Sequence, residues 1–476
     1  MHTTVSLLVL ACGAFALAGA QSTKKAPPLP SICVVCRCTT ASNGQVSVHC
    51  SNTDAVIEMT RDEVWPTHLR SISLNHAQLQ ELPELPKQKL HTLSLAHNAL
   101  VDIPDRAFVN FDLQELNLGY NGLAELRERT LQGAKDLRVL KVHHNNLKEF
   151  DWSAVSHMTQ LSEIHLQDNH LSNLTGAPLE LHELKVLNLS GNSLTEFPTD
   201  TCSNLVRLEE LDLTNNQLAT VPECLQSYLG ALQYLILDGN KIARVEGSAF
   251  TGLATLTTLS ISNLPQLKQV DSAALKGVTD LKQFRCAGNK QLGKLDKSLF
   301  FMGEDKLQQD WSIQTIDLSN NGFKHIPSDL VPWTMVDFVD LQDNPWDCNC
   351  EAQWMLDMLM PILYKKNSSM LVNFRCASPA HLASRRIVHW LDHKGKPFCE
   401  DAPHPETQVA VLQSGSSQGM LIALAVIACA ALVLLVVGFI LQRRYDQKRR
   451  ELATRMGRCR RPRNGDVRLT NPKFGI

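Results

Sequence analysis

The chain has 476 residues, 44% of them hydrophobic and 20% charged, with a formal net charge of −2. This length allows a large buried core, and the balance excludes a disordered polyelectrolyte. The mean conceals an uneven distribution: from Gln442 onward there are 12 Lys or Arg against 3 Asp or Glu, a net of +9, which leaves −11 upstream.

In chain order, residues 1–20 form an uncharged apolar run ending Ala18-Gly19-Ala20. Small residues at that point suit signal peptidase, although the usual early Lys or Arg is missing. Residues 31–60 hold Cys33, Cys36, Cys38 and Cys50, and residues 344–400 hold Cys348, Cys350, Cys376 and Cys399. Residues 401–419 read as a stalk. Residues 420–441 are 22 uncharged, mostly apolar positions, enough for one membrane-spanning helix. The basic segment 442–476 then stays on the cytoplasmic side and meets anionic inner-leaflet lipid. This is a topology signal, and no nucleic-acid partner is expected. The terminal Asn471-Pro472-Lys473-Phe474-Gly475-Ile476 has the form of an adaptor or PDZ ligand. Of 14 cysteines, 11 fall in the portion expected outside the cell, where disulfides persist.

Between the cysteine-rich segments, residues 61–343 repeat the pattern L-x-x-L-x-L-x-x-N-x-L. It begins at Leu69, Leu90, Leu113, Leu137, Leu161, Leu184, Leu208, Leu232, Leu256, Leu281, Ile313 and Val336. Asparagine holds the ninth place in every copy except the first, which has Ala77, and the ninth, which has Leu264. A period of this length signals stacked coils, each too small to bury its own apolar edge. Positions four to six of each copy are expected to form a short strand. Twelve strands at about 4.8 Å give a parallel sheet on the order of 60 Å across. The asparagine amide is suited to pair backbone groups that no sheet ladder reaches. The longer step between Leu281 and Ile313 marks an insertion or a poorly formed coil.

Spacing alone leaves three pairings open for each group of four end cysteines. Cys33-Val34-Val35-Cys36 also has a zinc-ligand spacing, which the extracellular address disfavours. Cys202 and Cys224 occupy similar places in consecutive copies and are expected to bridge neighbouring coils, with two free thiols as the alternative. Cys286 stands at an inward leucine position and reads as a core residue.

With Asn344-Pro345-Trp346-Asp347-Cys348-Asn349-Cys350 closing the array, the chain resembles the extracellular leucine-rich repeat proteins with cysteine-rich caps. The resemblance covers roughly residues 31–399. It implies an α/β leucine-rich repeat solenoid of about twelve coils. It also implies the pairs Cys33 with Cys38, Cys36 with Cys50, Cys348 with Cys376, and Cys350 with Cys399. Neuronal and epithelial adhesion receptors, Toll-like ectodomains and some auxiliary channel subunits share this design.

No nucleophile elbow, H-E-x-x-H or phosphate loop occurs in a supporting context, so neither catalysis nor a cofactor is expected. Recognition is the function left, and its surface is read from the third, fifth and seventh residue of each copy. This reading gathers Lys141, His143, Glu163 and His165, with His144 beside them. Solvated histidines are the simplest account of that cluster, although a pH-sensitive or metal-binding role is conceivable. It also gathers an acidic group, Glu210, Asp212 and Asp238, next to an apolar anchor, Tyr234 and Ile236. Sequons stand at Asn173, Asn188 and Asn367, and a glycan on Asn188 would obstruct the middle of the sheet. The expectation is a type I plasma-membrane glycoprotein, a receptor or adhesion protein, that binds an extracellular protein ligand or a second copy of itself. An innate-immune co-receptor or a channel subunit are the alternatives.

Overall fold

The computed structural model describes residues 32–51, 65–300, 312–393, 395–399 and 442–444. The signal segment, stalk, membrane span and C-terminal motif lie outside the described residues, as does all of the basic tail after Arg444. Among the described residues, no helix is long and apolar enough to cross a membrane. The chain divides into one compact unit, residues 1–400, and a second, residues 401–476. In the second unit, described residues 442–444 are helical and exposed.

The first unit is built on a 14-stranded sheet. It opens with an antiparallel pair, Arg37–Thr40 against Val46–His49. The second of these strands pairs in parallel with Leu69–Ser73, the strand of the first repeat. The other eleven repeats follow in chain order to Phe338–Asp340, every neighbour parallel. Twelve repeat strands are thus joined by about eleven turns of chain. After the first, which covers positions one to five, each strand has three residues and sits one residue earlier than expected, on positions three to five, as in Val186–Asn188. Position six still turns its leucine inward on the same face as position four, and its N–H still bonds the next strand, as Leu189 does Asp212 O at 2.9 Å, before the chain leaves for the asparagine turn.

Register explains the leucines. Leu187 stands opposite Ile164 on one side and Leu211 on the other. All three are fully buried, as is Leu189. Each coil therefore covers its neighbour's apolar edge, and fully burying one such side chain is worth about 2 kcal/mol.

The asparagines serve the polar side of the same contact. Asn240, at 0% exposure, donates from Nδ2 to the carbonyl oxygens of Leu213 and Leu237, both at 2.8 Å. Its Oδ1 accepts from the backbone N–H of Leu218 at 3.0 Å. One amide thus ties two carbonyls from adjacent coils to one amide hydrogen. The geometry recurs at Asn121, Asn145, Asn169, Asn192 and Asn216. The ninth copy lacks the asparagine, and there Asn289 reaches back from the next coil to pair Leu264 N–H at 2.7 Å.

Disulfides join both ends and one interior step. Cys33 bonds Cys38 and Cys36 bonds Cys50 beside the opening hairpin. Cys348 bonds Cys376, and Cys350 bonds Cys399, around the helix Met360–Lys366. Cys202 bonds Cys224, 22 residues on, in the following coil. Cys286 is free and buried, and burial pushes its thiol up to about 12. It is inert packing rather than a nucleophile.

Replacing Asn240 by Ala should strand three buried backbone groups. Denaturant unfolding is expected to show a loss of at least about 2 kcal/mol, whereas the same change at exposed Asn146 should cost little.

Candidate functional site

The outward rows of the sheet are the candidate surface, since the inward rows are occupied by the core. Lys141 faces Asn117 and His165 across the sheet. Its ammonium is committed to Glu115 at 2.7 Å. Glu163 pairs with His165 of its own strand at 3.3 Å. His143 and His144 face each other, Nδ1 to Nδ1, at 3.3 Å, and Nε2 of His144 lies 3.4 Å from Asp168 Oδ2. The expected cluster is therefore present as separate pairs: the Lys141 charge is already neutralised, and His144 leans toward Asp168. His143 is held down to about 4, first by burial and then by the nearby His144, His165 and Lys141, so its ring is neutral at physiological pH.

The acidic group also divides. Asp212 accepts from the N–H of Thr214 at 2.9 Å and stands opposite Ile236. Asp238 turns toward the next coil and accepts from Ser262 N–H at 2.7 Å and Ser260 Oγ at 2.9 Å. Burial raises its carboxyl, with the Asp212 charge adding to the effect. Asp340 is raised in the same way, by burial and then by Asp317. Asp238 is thus a link between coils more than a free surface charge. Glu210 and Tyr234 are exposed neighbours in register, and Tyr234 is 45% accessible. With Ile236 beside it, Tyr234 is the aromatic anchor of this half of the sheet.

Asn188 lies between His165 and Asp212 in the sheet. Its Oδ1 accepts from Ser190 N–H at 3.0 Å and Oγ at 2.7 Å, and the residue is half-buried. Asn173 is exposed in a separate strand, Asn173–Thr175, paired with Glu149–Asp151. Asn367 is exposed and caps a short 3-10 helix through Ser369 N–H.

Reading alternate positions misses a row of rings at position eight. His76 and His97 stack at 4.2 Å between centroids, His97 and Tyr120 at 4.0 Å, and Tyr120 and His144 at 4.0 Å. His143 meets Tyr120 edge-on. Every copy places position eight in the left-handed region. From the sixth copy on it is Gly, Asn or, in the last copy, Asp, residues for which that conformation is cheap. The first four copies carry rings there instead, with φ between 53 and 57°. Stacking compensates for the backbone cost. His97 is held below its ordinary value by burial and by its neighbours His76 and His144. The signal was in the sequence, as four rings at one repeat position, but outside the alternate positions that face outward in a strand. Among the described residues, no three His, Cys, Asp or Glu side chains are gathered to hold a metal ion.

The fold, its inward leucines and its asparagine row define a leucine-rich repeat solenoid. Residues 88–147, 111–171 and 159–218 match the leucine rich repeat family. Rat (Rattus norvegicus) Tsukushi is 29% identical over 240 residues, 50% of this chain and 60% of Tsukushi. Human (Homo sapiens) podocan-like protein 1 is 30% identical over 232 residues, 47% of this chain and 44% of that protein. The chain thus spans roughly half the length of these relatives. A chain of the solved octameric complex of Latrophilin 3 (Lec, Olf), Unc5D (Ig, Ig2, TSP1) and FLRT2 (LRR) superposes with a TM-score of 0.53 at 21% identity. The superposition covers 76% of this chain and 98% of that one, and it supports the shared fold.

Because the fold raises the Asp238 carboxyl above its ordinary 3.8, the stability tied to its proton is present below the unfolded value and lost as pH rises through the folded one. Asp238→Asn keeps an acceptor for Ser262 and removes the buried charge. Its melting temperature should exceed wild type near neutral pH, and the gap should close as pH falls below 4.

Proposed function

We propose that this chain is a non-catalytic cell-surface protein that binds an extracellular protein partner through the outward face of its repeat sheet. The observation that carries this reading is the sheet itself, a row of twelve parallel strands whose alternate side chains are free of the core. On it, Tyr234 and Ile236 offer an apolar anchor and Glu210 an exposed charge, the combination that a protein interface uses for affinity and for guided encounter. The likeness to an assembly that contains a leucine-rich repeat protein supports recognition over chemistry.

In this reading, residues 1–20 are removed as a signal, and the disulfide-bonded ends, 31–60 and 344–400, close the array as caps. Residues 420–441 span the plasma membrane with the N-terminus outside. The basic tail then meets anionic lipid, and the last residues recruit a PDZ or adaptor protein. Glycans at Asn173 and Asn367 leave the sheet open. A glycan at Asn188 moves binding to its ends.

Screening a multimer of residues 21–418 against cell-surface proteins, including the chain itself, should return a saturable partner. Tyr234→Ala is expected to weaken that binding by about tenfold or more, the effect of losing an interface anchor. Binding unchanged by Tyr234→Ala and by Asp212→Lys would move the contact off this face.

A further inference from the structure

We propose that His143 and His144 chelate a zinc ion through their Nδ1 atoms, on the rim of the sheet in the fourth repeat. The two nitrogens stand 3.3 Å apart. Two Zn–N bonds of about 2.05 Å at a tetrahedral angle require about 3.3 Å between donors. The pair therefore already has the bite that the ion needs.

The surroundings fix both rings. Nε2 of His144 lies 3.4 Å from Asp168 Oδ2, the carboxylate contact that commonly orients a metal-binding imidazole through its distal nitrogen. One of the two rings carries the hydrogen between the two Nδ1 atoms. When zinc binds, that hydrogen passes to Nε2 of the same ring through solvent, with no net proton released. Tyr120 holds both rings, stacked on His144 at 4.0 Å and edge-on to His143 at 5.2 Å. Tyr120 is itself held by His97.

Gly119 makes room for His143. A Cβ at this position would lie 2.6 Å from the His143 ring, so no other residue leaves the ring where it is. Two protein donors fill half of a four-coordinate shell. Water takes the other positions, both rings being partly open to solvent, which makes this an exchangeable site rather than a structural one.

The test is calorimetric titration of the full-length, detergent-solubilised chain with zinc chloride near neutral pH, after stripping with a chelator. Cobalt is used as a second probe, because its visible absorption reports tetrahedral coordination. One saturable site is expected, weakened about tenfold or more by either His143→Gln or His144→Gln. Gly119→Ala keeps both donors and displaces the His143 ring, so it should weaken binding as well, whereas His325→Gln should not. Circular dichroism confirms that each variant is folded. Two results overturn the proposal: a single site that survives both histidine variants, or no zinc bound up to about 100 µM. In the second case the 3.3 Å contact is only a hydrogen bond between neighbouring rings.

Discussion

A coil of two dozen residues cannot satisfy itself. It has more apolar edge than it can cover and more backbone polar groups than a three-residue strand can pair. Both deficits are met by the next coil, through the inward leucines and through one asparagine amide that reaches across the step. Asn192, for example, donates to Leu166 and Leu189 and accepts from Leu171, with all distances between 2.9 and 3.0 Å. The rest of the molecule follows from this mutual dependence. The sheet is long because coils add without limit. It needs covers at its ends, and its outward face is left free.

The same dependence shapes the surface chemistry. Several outward polar residues that look available are spent on backbone groups of the turn that follows. Asp212 and Asp340 each accept from the N–H two residues on, as do Asn117 and Asn188. Asp238 reaches into the neighbouring coil instead. What remains for a partner is a smaller set, with Tyr234, Ile236 and Glu210 toward one end and the ring row toward the other. The ring row is where the molecule departs from economy. Left-handed backbone is cheap for Gly and Asn, yet four consecutive copies hold imidazole or phenol there and recover the cost by stacking.

Much of the fold was legible because a repeat prints its geometry many times over. The leucine spacing located every repeat strand after the first to within one residue, and the asparagine column marked the turn. The pairing of the end cysteines came from resemblance to a family, since spacing leaves three choices open at each end. The site was less legible. Alternate positions found Tyr234 and His143, but whether a carboxylate serves a ligand or a neighbouring N–H depends on side-chain direction across coils. The pairing of Lys141 with Glu115, on the strand one coil before, and the turn of Asp238 toward the next coil are facts of this kind. The ring row was hidden for a different reason, because position eight belongs to the turn rather than to the strand.

The claim that each coil completes its neighbour is tested most directly by deleting one whole copy in frame. Removing residues 161–183 places Leu140 against Leu187 and leaves every remaining asparagine with a partner coil. That chain should fold and unfold cooperatively, with a circular dichroism spectrum close to wild type. Removing only residues 161–172 breaks the period and should abolish folding. If both deletions fold equally well, or if removal of the whole copy collapses the structure, stacking of equivalent coils is not what holds this molecule together.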